Sequence, residues 1–107
     1  MESKVIINSN EYSGEAWIQY ENNQLIVSAK ARWVAAAFGM IGYSLAKPKE
    51  KCRIDLNNVN SLKIIEEKKG KLRYIFSLGI NRTCTLLFSS ADEISEKLKR
   101  DFSDKLE

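Results

Sequence analysis

The amino-acid sequence predicts a mainly β (α+β) domain. Seven strands are expected to form a partly open barrel or two orthogonal antiparallel sheets, capped by one C-terminal α-helix. From residue 12 to residue 88 apolar and polar residues mostly alternate, and this period of two is typical of half-buried strands. After residue 90 the apolar residues recur every four positions, which is typical of a helix packed by one stripe.

The clearest strand is Lys51-Cys52-Arg53-Ile54-Asp55-Leu56, in which Cys52, Ile54 and Leu56 share one face and the charged residues share the other. Asn22-Asn23 predicts a tight hairpin turn, because asparagine tolerates positive φ. Further turns are predicted at residues 68–70 and 79–81. The predicted strands cover residues 4–8, 14–21, 24–30, 51–56, 61–67, 71–78 and 83–88.

The helix is predicted to begin at Ser90-Ala91-Asp92-Glu93. This tetrapeptide fits a capping box in which Ser90 is the N-cap and the Glu93 carboxylate reaches back to the N-cap amide. Four residues form the apolar stripe that is expected to pack on the barrel: Ile94, Leu98, Phe102 and Leu106.

Composition predicts one domain over residues 1–107, with a formal charge of +3. The first residues contain no long apolar stretch, so a cytoplasmic protein is expected. The two cysteines have no histidine partners and read as small core residues, which leaves no metal or cofactor site to predict. No nucleophile has a visible base, so the chain is expected not to be an enzyme.

The unusual feature is an uncharged apolar insert, Trp33 to Ala46, which is too short to span a membrane. Exposing its large side chains would forgo about 1.5–3 kcal/mol each, on the order of 10 kcal/mol in all, so something must cover it. The residues predicted to make the contact are Trp33, Phe38, Met40, Ile41, Tyr43 and Leu45. The predicted basic rim consists of Lys30, Arg32, Lys47, Lys49 and Lys51.

Three ways of covering the insert are open. The insert could pack on its own barrel, or its small residues could let a second copy approach closely and self-associate. It could also contact an anionic bilayer surface or a membrane-protein partner, since basic residues flank an apolar wedge. The alternative function is nucleic-acid binding by a small basic β-barrel, through these flanks and through Lys68, Lys69, Lys71 and Arg73, although the mild net charge does not favour it.

Two segments carry a family resemblance. Gly14 to Tyr20, followed by Asn22 to Val27, resembles the strand pair that opens the GRAM branch of the pleckstrin-homology superfamily. Ile54 to Leu62 resembles that family's strand-turn segment leading into the second sheet. The resemblance implies a non-enzymatic binding module, with residues 31–50 inserted between strands 3 and 4 at the open end of the barrel, where family members often meet membranes or partners. The family's inositol-phosphate-binding basic residues have no counterpart in Asn8 to Glu11.

Overall fold

The computed structural model describes residues 2–30, 39 and 45–107. Within them the chain forms seven strands followed by a C-terminal helix. The strands are β1 (Ser3–Asn8), β2 (Ser13–Glu21), β3 (Gln24–Ala29), β4 (Lys49–Asp55), β5 (Ser61–Glu66), β6 (Leu72–Gly79) and β7 (Arg82–Phe88), and the helix is α1 (Glu93–Asp101).

All seven strands belong to one antiparallel sheet with the order β4-β3-β2-β1-β7-β6-β5. Strand β1 is its centre, because it pairs with β2 on one side and with β7 on the other. The described strands β4 and β5 form the two edges, so the sheet does not close. The predicted fold class is confirmed, and the structure adopts a single open sheet rather than two.

Alternation along each strand sends one set of side chains to a common inner face. On β1, Val5 and Ile7 are buried, whereas Lys4, Ile6 and Asn8 point to the outer face and are exposed. The inner residues of the other strands join one core with the helix. The largest fully buried side chains of this core include Tyr74, Phe76, Phe88, Ile18, Leu25, Leu86 and Leu98.

Helix α1 packs on the inner face by the predicted stripe. Ile94 and Leu98 are buried, and the Phe102 ring meets the Phe76 ring edge-on at 5.8 Å between centroids. The Tyr74 hydroxyl donates to the Ser95 carbonyl at 2.9 Å. An edge-to-face aromatic pair such as Phe76 and Phe102 stabilises a core by more than the burial of its apolar surface alone contributes. The helix therefore closes the concave side of the sheet.

The stripe prediction fails at its last member. Helix α1 ends at Asp101, with Phe102 as the C-cap, so Leu106 lies beyond the helix. Leu106 instead makes an isolated parallel bridge to Leu62 of β5, and its neighbour Glu107 donates its backbone N–H to the Leu62 carbonyl at 2.9 Å. The chain after the helix thus lies along part of the β5 edge.

The predicted helix start is also wrong. The N-cap is Asp92 rather than Ser90, and the capping partner is Ser95 rather than Glu93. An Asp92 carboxylate oxygen accepts from the Ser95 backbone N–H at 2.8 Å, and the Ser95 hydroxyl oxygen accepts from the Asp92 backbone N–H at 2.8 Å. The second Asp92 oxygen accepts from the Ser3 hydroxyl at 2.6 Å, which ties the helix start to β1.

The turns follow the sequence closely. Asn22 and Asn23 both have positive φ, 51° and 58°, as the predicted hairpin turn requires. Asn81, in the turn between β6 and β7, has a φ of 60°. The boundary of β4 differs from the prediction, since this strand begins at Lys49, inside the range 31–50 predicted for the insert.

Candidate functional site

Most of the predicted contact residues lie outside the described part of the chain. These are Trp33, Phe38, Met40, Ile41 and Tyr43, together with Arg32 of the predicted basic rim. The described contact residue is Leu45, whose side chain is 78% exposed. The described basic rim consists of Lys30, Lys47, Lys49 and Lys51.

The register of β3 and β4 brings the two ends of the insert together. Ala29 and Lys49 are Cα partners at the end of this strand pair, so Lys30 on one side and Lys47 and Lys49 on the other flank the same point of the sheet. Lys47, Lys49 and Lys51 are all exposed. Basic residues that are about twenty positions apart in the sequence therefore form one cluster at the base of the insert, which we call the basal lysine cluster.

A β-bulge adds Lys51 to this cluster. Val27 pairs with Cys52 but Ser28 pairs with Glu50, so Lys51 is the extra residue on β4. Bulges of this kind commonly redirect a side chain at the edge of a sheet. Here the bulge places three consecutive exposed residues, Lys49, Glu50 and Lys51, at the edge.

The acidic residue within the cluster is already neutralised. Arg53 donates to both carboxylate oxygens of Glu50, at 3.0 and 3.1 Å, and this hydrogen bonding lowers the pKa of Glu50. The bidentate geometry is the favoured arrangement of an arginine and a carboxylate. Because Glu50 is engaged by Arg53, the charge of Lys47, Lys49 and Lys51 is left in excess.

A second exposed apolar residue was missed by the sequence analysis. Ile80, in the turn between β6 and β7, is 92% exposed. The turn lies near the end of β4 that is remote from Lys49, because Leu78 and Arg82 line one depression with Arg53, Asp55 and Asn58. Ile80 is therefore an exposed apolar residue at a different place from Leu45.

Trp17 is the other feature that the sequence did not reveal. It lies on the outer face of β2, and its ring has the Lys30 ammonium 5.2 Å and the Lys4 ammonium 5.5 Å from its centroid. Cation–π contacts of this length are favourable. They place the ammonium of Lys30 over the outer face of the sheet, next to strand β2.

The second predicted basic cluster occupies the tight turn before β6. Lys68 and Lys69 belong to a short 3-10 turn, and Lys69 has a φ of 65°. Arg73 is paired with Glu67, so its charge is already balanced. Lys71, which follows this turn, lines one groove with Lys4, and the ammoniums of Lys4 and Lys30 contact the same Trp17 ring.

The cysteines belong to the core rather than to a site. Cys84 is fully buried, and Cys52 is half-buried on the same inner face. Burial raises the pKa of the Cys84 thiol from its ordinary value of 9.0 to about 12, and it raises the pKa of Cys52 as well. A thiol held in its neutral form is a poor nucleophile.

This burial has a consequence for stability in alkali. The pKa of the Cys84 thiol is near 9.0 when the chain is unfolded and about 12 when it is folded. The contribution of this thiol to the free energy of unfolding is therefore complete below pH 9 and is lost as pH rises toward 12. The loss is expected to be about 1.4 kcal/mol per pH unit. Urea unfolding between about pH 8 and pH 10 checks this, with Cys84→Ala expected to show a shallower decline. Equal slopes for both proteins would contradict it.

Within the described residues, no group of three or more His, Cys, Asp or Glu side chains could hold a metal ion. The same part of the chain contains no helix that is long and apolar enough to cross a membrane. Comparison with known proteins finds no matching family model, no matching curated protein and no matching solved structure.

Proposed function

We propose that this protein is a non-enzymatic binding module that contacts an anionic bilayer surface with the end of the sheet that carries the insert. The observation that supports this most directly is the strong exposure of Leu45, at 78%, just before the exposed Lys47 and Lys49 of the basal lysine cluster. The resemblance to GRAM-type pleckstrin-homology domains belongs to the same proposal.

The combination of charge and apolar surface favours a bilayer over the other covers. Apolar side chains enter the boundary between headgroups and acyl chains, while lysines around them are attracted to anionic headgroups. Each such lysine contributes about 1 kcal/mol near an anionic surface. The described cluster supplies Lys30, Lys47, Lys49 and Lys51, and the apolar residues of the insert would add to Leu45.

Self-association through the same end is less favourable. A two-fold interface pairs the same patch on both copies. The lysines of one copy would then approach those of the other without enough carboxylates between them, because Arg53 already engages Glu50. Like charges facing each other across an interface oppose association.

Cosedimentation with vesicles tests the proposal. The protein is expected to bind vesicles of mixed phosphatidylserine and phosphatidylcholine and not phosphatidylcholine alone, and added salt should weaken the binding. Lys47→Glu with Lys49→Glu should weaken it by about tenfold or more, and Leu45→Glu should weaken it as well. All three positions are exposed, so the monomer should keep its thermal midpoint within a few degrees.

The matched control is Lys99→Glu with Lys105→Glu, which makes the same change of charge on exposed residues of the C-terminal segment. This pair should bind vesicles nearly as the unmodified protein does. An equal loss of vesicle binding in the two lysine-to-glutamate pairs would mean that only the net charge of the protein matters. No binding to anionic vesicles would overturn the proposal, and a dimer in light scattering that the Leu45 change dissociates would replace it with self-association.

A further inference from the structure

A shallow groove lies on the outer face of the sheet, on the side opposite to helix α1, where β1, β7 and the start of β6 run side by side. Its volume is about 270 Å³. Apolar side chains and basic side chains both line it. The residues that matter are Ile6, Leu87, Lys4, Lys71, Ser89 and Glu15.

The floor of the groove is apolar and open. Ile6 is the Cα partner of Leu87 on one side and of Glu15 on the other. Its side chain is 56% exposed, although the adjacent Val5 and Ile7 are buried in the core. An isoleucine at the centre of a sheet, left in water beside a half-exposed leucine, offers an apolar surface that a partner could cover.

One side of the groove is basic. Val5 and Leu72 are both Cα partners of Phe88, so the preceding residues, Lys4 and Lys71, flank Ser89 on its two sides. Lys4 is paired with Glu15 at 3.3 Å. Lys71 makes no ion pair or ring contact within the described residues, and it adjoins the tight turn that carries Lys68 and Lys69.

Acidic groups do not cancel this charge. Glu15 forms an ion pair with Lys4, and Glu67 forms an ion pair with Arg73. Glu66 lines a shallow depression with Lys68, Lys69 and Lys71, so this one carboxylate faces three lysines. The ammonium of Lys71, at the mouth of the groove, is therefore available to a carboxylate from outside, and the Ser89 hydroxyl can donate a hydrogen bond to the same anion.

The size of the groove indicates the kind of occupant. Small-molecule sites usually have volumes of about 300–1,000 Å³ and enclose most of their ligand. A groove of about 270 Å³ is better matched to one apolar side chain of a larger partner, which is how anchor residues bind at protein interfaces. We propose that this groove docks an extended acidic segment of a partner protein, with an apolar side chain over Ile6 and Leu87 and carboxylates on Lys71 and Lys4.

The groove and the membrane contact share no residue, although they are neighbours on the outer face. Lys4 of the groove and Lys30 of the basal lysine cluster both place their ammonium over the Trp17 ring. The two proposals are therefore told apart by Ile6→Thr, which changes the groove, and by Leu45→Glu, which changes the end of the insert.

The test is a titration followed by amide NMR of the labelled full chain, with three heptapeptides as probes. Peptide ELDELDE is expected to shift the amide signals of Ile6, Lys71, Leu87 and Ser89. EADEADE, which lacks the apolar side chains, and KLKKLKK, which reverses the charge, should bind about tenfold more weakly or not at all.

Two variants locate the contact. Ile6→Thr keeps a β-branched residue in the strand, and Lys71→Glu reverses the unpaired charge; each should weaken ELDELDE binding by about tenfold, while Lys71→Arg retains it. The matched controls are Ile80→Thr, which removes an exposed isoleucine elsewhere, and Lys99→Glu. Both should leave ELDELDE binding unchanged.

Several results would overturn the proposal. Absence of amide shifts with ELDELDE up to about 1 mM would exclude useful affinity. Equal binding of ELDELDE and EADEADE would show that the apolar floor of the groove plays no part. An equal loss of ELDELDE binding in Lys99→Glu would mean that any exposed lysine suffices. Loss of vesicle binding in Ile6→Thr, with no effect on the peptide, would assign the groove to lipid.

Discussion

Phe76→Ala is expected to lower the free energy of unfolding by about 3–5 kcal/mol. Phe76 is fully buried on β6, between Leu62 of β5 and Cys84 of β7, and its ring meets Phe102 edge-on. Its removal would leave a cavity where the sheet and the C-terminal helix meet. Since a domain of this size is stabilised by roughly 5–15 kcal/mol in total, the variant should lose a large part of its stability.

Urea unfolding followed by circular dichroism measures the effect. Phe76→Leu serves as the control, because leucine keeps much of the volume and should cost clearly less. Ile80→Ala, which changes an exposed turn residue, should alter stability by no more than about 0.5 kcal/mol. A loss below about 1 kcal/mol for Phe76→Ala would mean that the helix does not depend on this contact.

The strand pattern was predictable because a period of two reports directly which face is buried. In β4, Ile54 is buried while Arg53 and Asp55 are exposed, as the alternation indicates. The hairpin turn was predictable for a similarly local reason, since two consecutive asparagines tolerate the positive φ that both adopt. Neither inference needs any knowledge of distant residues.

The surfaces were harder to predict because they depend on register between strands that are far apart in the sequence. Strand β1 pairs with β7, so Ile6 meets Leu87 and Lys4 lies near Lys71, and no local motif announces this pairing. The basal lysine cluster was predicted as a flanking pattern, but its convergence follows from the pairing of Ala29 with Lys49. Ile80 had a local signal, an apolar residue between Gly79 and Asn81 in a turn, which the prediction of a partner surface did not use.

The helix start shows how tertiary structure decides between two local alternatives. Ser90 to Glu93 and Asp92 to Ser95 both offer a capping residue followed three positions later by a polar partner. The second is chosen in the fold, where the Asp92 carboxylate also accepts from Ser3, a residue almost at the other end of the chain. Ser90 is exposed and makes no side-chain hydrogen bond within the described residues. The distant bond to Ser3 is invisible to a pattern of neighbours.

Asp92→Ala is accordingly expected to cost about 1–3 kcal/mol, while Ser90→Ala should change stability by no more than about 0.5 kcal/mol. The first change removes the acceptor of the Ser95 backbone N–H and leaves the buried Ser3 hydroxyl without its partner. Asp92→Asn should recover much of the loss, because the amide oxygen can still cap the helix. Urea unfolding of the three variants decides the matter, and a larger loss for Ser90→Ala than for Asp92→Ala would restore Ser90 as the N-cap.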